Sequence, residues 1–287
     1  MIWAIYGILH SLLRAALTET NRVYQFDSIK LSFGQALFGV LLLLPFFPMM
    51  VWPSDPHFYR CAIGVSTIFS IGLLVNLTLA ANRAGRVSSI YMPLEAIGAT
   101  LIWLAVMPQM QEAYKADMLT TYSVVIAYVI ATGALIMVRR NDVNLRTLLL
   151  VAPVGISYAV AGTVTKAVMP FNPVFPAAIS FALIGFLVMA VIMGVTAFIS
   201  GRFDRELFSA RGFGASLATG LVSACSYVAF ITSVTLAPNP GYTSLIAFLL
   251  PVWLWAWHLI IGVEDRANPM AAIFIVIGVA MLITAAW

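Results

Sequence analysis

Charged side chains are scarce in this sequence. They make up 9% of the 287 residues, whereas hydrophobic residues make up 62%. Soluble domains carry roughly one-quarter charged residues, so a water-soluble fold could not hide this much apolar surface. Cysteine is also rare, and neither Cys61 nor Cys225 has a CxxC or CxxH context that would indicate metal or redox chemistry. We therefore predict that both cysteines serve packing.

Signatures of catalysis are missing as well. The chain has no HExxH, no GxSxG, no Walker loop and no Gly-rich dinucleotide turn, and its polar loops are too short to house a catalytic or ATPase domain. We predict that it is not an enzyme and holds no cofactor or metal. The net charge of +4 does not indicate nucleic acid, because the basic residues are scattered over short loops and form no long tract.

Long apolar stretches, in contrast, follow one another along the whole chain. About twenty apolar residues in a helix cross a hydrocarbon core of about 30 Å. The first stretch lacks a basic leader and a cleavage site, so we interpret it as a retained span. The pattern predicts an all-α polytopic protein of the cell (inner) membrane with ten transmembrane helices, and a loop over 109–118. The predicted spans are 2–20, 29–49, 59–81, 87–107, 120–138, 147–168, 174–199, 212–236, 241–262 and 268–286.

The two halves of the chain resemble each other, which predicts repeats over 1–140 and 141–287. Tyr6 and Arg14 match Tyr158 and Lys166 at a constant separation of 152 residues. Leu-Ala-Ala-Asn at 79–82 resembles Leu-Ala-Pro-Asn at 236–239, and 130–133 resembles 275–278. Five spans per repeat is an odd number, so the second repeat is inverted in the membrane relative to the first. A carrier with such repeats binds its substrate where they meet, near the midplane.

These features resemble the EamA-type carriers of the drug/metabolite transporter superfamily over nearly the whole chain. The best match, 237–281, has a short loop, a helix broken by Pro251, the ending Gly262-Val263-Glu264 and a last span that carries Gly278. Residues 80–93 are similar, but the first half lacks the Gly-Glu ending and has Glu112 in a longer polar loop. The resemblance implies a carrier of amino acids, other metabolites or drugs.

The orientation of the termini stays open. Basic residues near helix ends favour one side by eleven to two, which places both termini outside by the positive-inside rule. Carriers that resemble this chain are usually drawn with both termini inside. Arg60 and Lys115 lie on the sparse side, and the rich side holds Arg22, Lys30, Arg83, Arg86, Arg139, Arg140, Arg146, Arg202, Arg205, Arg211 and Arg266.

Three charged residues lie well inside predicted spans: Arg14, Glu95 and Lys166. Each costs about 3 kcal/mol if it faces lipid, so each should face protein or water. Since Arg14 and Lys166 occupy matched places, we expect them to meet in one central cavity and to bind an anionic group. The alternative is that they snorkel or pair with Glu95. Two helical stripes accompany them, one of Tyr6, His10, Arg14 and Thr18 and one of Tyr158, Gly162 and Lys166.

Glu95 follows Pro93 and Tyr91 in the fourth span. It is expected to bind a substrate ammonium or a coupling proton, or else to form a salt bridge with Arg14.

Pro93 and Pro251 can break their helices. Trp253 and Trp257 share a helix face and can stack on a solute, although interface anchoring is the alternative. Hydrogen bonds to a solute, or between helices, can come from Tyr227, Ser223, Ser226, Ser70 and Asn76.

The sequence thus predicts a secondary transporter for a small zwitterionic or anionic metabolite. We expect an amino-acid-like solute, export or exchange, and alternating access. One alternative is a choline-like or drug-like organic cation bound by Tyr91, Trp253 and Glu95. A membrane enzyme or flippase for a lipid-linked substrate is a third interpretation. The predicted partners are the solute, membrane lipid and a coupling proton, and the oligomeric state is open.

Overall fold

The structure, a computed structural model, describes residues 1–82, 91–138, 145–170, 172–263 and 267–286. Within these ranges the chain forms α-helices and short 3₁₀ turns, and none of the described residues lies in a β-strand. The 3₁₀ turns cover Leu44–Met49, Arg205–Phe208 and Ala247–Leu249. The helices are α1 Ile2–Tyr24, α2 Ser28–Leu43, α3 Pro56–Asn82, α4 Tyr91–Val106, α5 Pro108–Ala116, α6 Met118–Val138, α7 Leu145–Val168, α8 Val174–Ile199, α9 Ala210–Leu236, α10 Pro240–Ile246, α11 Leu250–Ile261 and α12 Pro269–Ala285.

Most of these helices have the length and composition of membrane spans. Within the described ranges, seven helical segments are long and apolar enough to cross a bilayer, with α10, the 3₁₀ turn and α11 counted together as one segment. The number rises to eight if the bent pair of α4 and α5 counts as one span. Helix α12 is a shorter apolar helix. The chain is therefore an all-α, multi-pass membrane protein. Except for α5, its helices lie where the sequence predicts apolar spans, with boundaries that differ by a few residues.

The polar segment 109–118, predicted as a loop, forms the short helix α5. Its axis turns by 103° from that of α4. Pro108 lies in its first turn, where proline loses no helical hydrogen bond, and Lys115 pairs with Glu112 at 2.8 Å on its exposed side. The opposite side reaches the bundle, because the Tyr114 hydroxyl hydrogen-bonds the Tyr242 hydroxyl. The loop prediction was wrong here because it considered polarity alone.

The ninth predicted span is broken into α10, a 3₁₀ turn and α11. The Asn239 carboxamide oxygen accepts a hydrogen bond of 2.9 Å from the Gly241 amide and so caps α10. Pro251 lies in the first turn of α11, directly after the break. Gly262 ends α11 in the left-handed conformation, with φ of 69°, that glycine adopts without strain. Pro93 is the third residue of α4 as described.

The helices pack in pairs that join the two halves of the chain. Helix α2 packs on α8, α4 on α10, and α6 on α12. Helix α1 lies along α9, and α3 lies along α7. Helix α9 also contacts α2, α7, α8 and α10, and most of its side chains are buried. It is therefore the central helix of the bundle.

Several residues named in the sequence analysis lie outside the described residues. These are Glu264 of the family-like ending and the loop residues Arg83, Arg86, Arg139, Arg140 and Arg266.

Candidate functional site

A cavity of about 150 Å³ lies inside the bundle, about halfway along α1, α3, α8 and α9. A cavity of this size is large enough for a molecule such as benzene. Its wall combines two charged groups with hydroxyl and aromatic side chains. The lining residues are His10, Arg14, Leu17, Gln35, Val65, Ser66, Phe69, Ser70, Leu73, Tyr91, Glu95, Tyr158, Ala161, Gly185, Phe186, Met189, Ser223, Ser226, Tyr227 and Phe230.

Arg14 provides the positive charge of the cavity. Its Nη2 donates a hydrogen bond to the Tyr91 hydroxyl, which joins the middle of α1 to the start of α4. A guanidinium carries five N–H donors. Because the hydroxyl occupies only part of this donor set, Arg14 retains the capacity to bind a carboxylate.

Glu95 provides the negative charge and is 6% exposed. Its Oε1 accepts a hydrogen bond of 3.0 Å from the Ser244 hydroxyl of α10. It lies close enough to Arg14 for electrostatic attraction, yet the two form no ion pair among the described residues. Gly155 allows α7 to approach here, since a Cβ on it would lie 2.9 Å from the Tyr91 carbonyl oxygen. The salt bridge considered from the sequence is thus replaced by two separate contacts.

His10 lies one helical turn before Arg14 and serves packing and lining together. Its Nδ1 is 2.9 Å from both the carbonyl oxygen and the hydroxyl of Ser226 on α9. Its ring lies 5.1 Å from the Phe230 ring, centroid to centroid. His10 therefore holds α1 against α9 at the level of the cavity.

Five aromatic rings form a continuous row beside the charged groups, which we call the aromatic wall. Tyr91 packs edge-on against Tyr158, with centroids 5.3 Å apart. Phe69 stacks on Tyr158 at 4.7 Å and touches Tyr227 at 5.9 Å, and Tyr227 packs edge-on against Phe186 at 5.8 Å. Edge-to-face and offset-stacked rings attract one another, so the row is mutually supported. It gives the cavity an apolar side.

Lys166 does not share the cavity, so the expectation that it meets Arg14 there is wrong. Its Nζ donates to backbone carbonyls at the end of α9, at 3.0 Å to Thr235, at 3.5 Å to Val234, and to Ala237. It also lies 5.3 Å from the centroid of the Trp103 ring. The end of a helix leaves carbonyls without intrahelical partners and attracts cations, which explains this position.

Three aromatic residues that were predicted to contact the solute also lie away from the cavity. The Tyr6 ring packs on Phe175, with centroids 6.5 Å apart, whereas Tyr158, which matches Tyr6 in the sequence comparison of the halves, lines the cavity. The Trp253 Nε1 donates to the Ser11 hydroxyl at 2.9 Å. Trp257 is 48% exposed on the outside of the bundle. A cation cage that includes Trp253 is therefore not assembled in this structure.

Sequence reasoning missed several lining residues. Gln35 is the amide side chain within the second apolar segment, and its polarity alone could have identified it. Ser66, Phe69 and Leu73 were missed as well, and they share one face of α3 with Ser70, which the sequence had indicated. Ser244, which binds Glu95, carried no signal because its partner lies 149 residues away.

The described residues contain no group of three histidine, cysteine, aspartate or glutamate side chains that could hold a metal ion. The polar groups of the cavity are instead one guanidinium, one carboxylate, one imidazole, one carboxamide and several hydroxyls. Such a set can bind a small polar molecule by hydrogen bonds and charge.

Comparison with known proteins establishes the fold alone. No family model and no curated protein matches the chain, whereas 25 chains of solved structures match it. One of them, described only as the crystal structure of a protein, has a TM-score of 0.73 and 11% sequence identity. The match covers 99% of this chain and 98% of that one. This chain is therefore similar to a solved protein along its whole length.

Proposed function

We propose that this protein is a secondary transporter of a small zwitterionic or anionic solute of amino-acid type, which exports or exchanges its solute by alternating access. One observation carries the proposal: the buried cavity has a cation, Arg14, and a carboxylate, Glu95, that do not pair with each other. Buried charges are costly in a membrane protein and mark solute or proton pathways. A zwitterion placed between them would complement both.

The cavity suggests how such a solute would bind. A guanidinium suits a carboxylate because its N–H groups form a planar fork, and Tyr91 already orients that of Arg14. Glu95, positioned by Ser244, would accept a hydrogen bond from an ammonium group or take up a coupling proton. The aromatic wall would cover the apolar part of the solute.

The packing of the helices supports ten spans arranged as two inverted five-helix repeats, over 1–140 and 141–287. Let α1, α2, α3, α4 and α6 correspond to α7, α8, α9, α10–α11 and α12. Exchanging the two halves then converts the α1–α9 contact into the α7–α3 contact, and the α2–α9 contact into the α8–α3 contact, and all four contacts are present. The pairs α2–α8, α4–α10 and α6–α12 map onto themselves. Such exchange is what a twofold relation between halves requires, and transporters with inverted repeats bind solutes at this interface.

We further propose that the chain is an EamA-type carrier of the drug/metabolite transporter superfamily, in the cell membrane. The resemblance over 237–281 and the break before Pro251 support this assignment. Transport would run on solute gradients, since the motifs of an ATPase are absent from the sequence.

A carrier of organic cations is the second candidate. The rings of Tyr91 and Tyr158 lie beside Glu95 in the cavity wall, and aromatic faces attract cations. Arg14 in the same wall opposes this candidate, since like charges repel where water is sparse. A membrane enzyme or flippase is less well supported, because its reactive groups would be expected at a membrane interface and these charges lie halfway along the helices.

The experiment is uptake and exchange by the purified protein in liposomes, with three probes for each carbon skeleton. One probe is the amino acid, one lacks the amine, and one lacks the carboxylate. We expect the zwitterion to move fastest. Arg14→Gln should lower the uptake of the amino acid relative to the probe without a carboxylate about tenfold, which corresponds to about 1.4 kcal/mol. Glu95→Gln should lower its uptake relative to the probe without an amine by a similar factor of about ten.

Lys115→Gln and Glu112→Gln are the matched controls, since each removes one charge of the same sign as Arg14 or Glu95 at an exposed position on α5. Both should leave uptake unchanged. Flux of no amino acid, alone or in exchange, would refute the proposal. Faster movement of the amine lacking a carboxylate would favour the organic-cation candidate.

A further inference from the structure

Two buried hydroxyl groups in the cavity wall have no hydrogen-bond partner among the residues that the structure describes. Ser66 on α3 is 3% exposed and Ser223 on α9 is 6% exposed. The Tyr227 hydroxyl lies near Ser66, since both are close to Gly185, but the two hydroxyls do not meet the distance and angle of a hydrogen bond. A buried polar group left unsatisfied costs about 1–3 kcal/mol. Both hydroxyls would therefore stabilise the binding of a molecule in the cavity that forms hydrogen bonds with them.

The absence of a partner is unusual for these residue types. Serine and threonine within helices commonly donate to the carbonyl four residues earlier. Ser70 does so to the Ser66 carbonyl at 2.7 Å, and Thr219 does so to the Ala215 carbonyl at 2.8 Å. Ser66 and Ser223 are one turn from these two residues, on the same two helices, yet their hydroxyls leave the helix carbonyls unused.

The two hydroxyls are distinguished from other unpartnered hydroxyls by their location in the cavity wall. In the described part of the chain, the buried side-chain oxygens without a partner belong to Ser66, Thr132, Ser216 and Ser223. Only the first and last of these four line the cavity. Ser216 instead packs directly against Gly34 on α2, in a seam between helices.

Ser66 and Ser223 also occupy matched positions in the two halves. They are 157 residues apart, the same separation that relates 79–82 to 236–239. The match extends along the cavity, because lining positions 66, 69, 70 and 73 of α3 correspond to lining positions 223, 226, 227 and 230 of α9. Each half thus contributes one unsatisfied hydroxyl at an equivalent level of the cavity.

We propose that Ser66 and Ser223 form a hydrogen-bonding subsite for an uncharged polar group of the solute, a hydroxyl or an amide. This inference rests on the proposed function and narrows its substrate class to amino acids with a polar, uncharged side chain. Arg14 and Glu95 bind the charged ends, and the two serines bind the side chain. Sites built to bond a substrate hydroxyl reject the analogue that lacks it, because their own polar groups then stay unpaired.

Gly185 keeps the space beside Ser66 open. A Cβ at this position would lie 3.1 Å from the Ser66 Oγ and 2.8 Å from the Tyr227 ring. Any side chain here would therefore press on the subsite. Gly185→Ala is a second variant that disturbs the subsite without removing a hydroxyl.

The test compares threonine with valine, which have nearly the same shape and differ by a hydroxyl. Binding to the purified protein is measured by calorimetry, and uptake is measured in liposomes. We expect wild type to prefer threonine by at least about tenfold. Ser66→Ala and Ser223→Ala should each reduce this ratio about threefold or more, and the double variant should bring it close to one. Gly185→Ala should also reduce it.

Ser70→Ala is the matched control, because Ser70 lines the same cavity but its hydroxyl already has a partner. It should leave the ratio unchanged. A wild-type ratio near one, or a double variant that keeps the wild-type ratio, overturns the subsite even if amino acids are transported. Binding that favours threonine without transport keeps the subsite and refutes the transporter. Binding of neither amino acid overturns the subsite, while the proposed transporter is refuted only if no amino acid at all moves in the liposome test.

Discussion

The close approach of α10 to α4 leads to a prediction about Gly241. This residue is buried in the first turn of α10. A Cβ built on it would lie 2.6 Å from the Ala96 carbonyl oxygen and 2.8 Å from the Tyr128 hydroxyl, and still closer to the Thr100 Oγ1. The Thr100 hydroxyl is bonded to that carbonyl at 3.0 Å and to Tyr128 at 2.6 Å. Alanine at 241 must therefore push the two helices apart.

The size of the effect follows from these contacts. Overpacking of this kind costs about 1–3 kcal/mol. Disruption of the Thr100–Tyr128 hydrogen bond adds about 1 kcal/mol, and the better helix propensity of alanine returns up to about 1 kcal/mol. We expect Gly241→Ala to lower the free energy of unfolding by about 1–3 kcal/mol.

The assay is unfolding by sodium dodecyl sulfate in mixed micelles, followed by circular dichroism. Gly133→Ala in α6 is the matched control, since nothing lies within 4 Å of a Cβ built at that position. It should be neutral or slightly stabilising. If Gly241→Ala unfolds at the same detergent fraction as wild type, the reasoning from the α4–α10 contact is refuted.

Three further predictions concern single polar contacts. Lys166→Met should lower the free energy of unfolding by about 1.5–3 kcal/mol, because carbonyls at the end of α9 lose a charged donor; equal stability in the same assay would contradict this. Tyr91→Phe removes the hydrogen-bond acceptor that orients Arg14 and should reduce uptake per unit of protein about tenfold, while unchanged uptake would show that the hydroxyl is dispensable. The hydrogen bond from Lys30 holds the pKa of the Asp204 carboxyl below its ordinary value, so the carboxylate contributes stability above its unfolded pKa of about 3.9 and loses it as the pH falls through its folded pKa. Unfolding curves should therefore show a smaller acid-induced loss of stability for Asp204→Asn than for wild type.

The positions of the helices could be predicted because apolar length is a strong signal. The run 174–199, for example, has a mean hydropathy of 2.6. A run this long and apolar is expected to form a helix that is buried or faces lipid. Helix α5 could not be predicted from hydropathy, since it is polar and its sequence differs from a loop only by the proline in its first turn and its amphipathic spacing.

The candidate site was only partly predictable. The cost of a charge facing lipid identified Arg14 and Glu95 as inward-facing residues, and both line the cavity. The same argument applied to Lys166, but it cannot distinguish a cavity from the end of a neighbouring helix, and this lysine binds the latter. Arg14 and Lys166 lie at matched positions in the two halves of the sequence, yet their flexible side chains contact different partners.

The aromatic wall has a consequence for the size of the solute. Each of its rings is held on at least one side by another ring, from Tyr91 at one end to Phe186 at the other. On this side of the cavity, an oversized molecule would have to displace several coupled rings together, whereas flexible side chains such as Met189 can move one at a time. Rejection of bulky compounds should therefore set in abruptly with increasing volume, whatever charge those compounds carry.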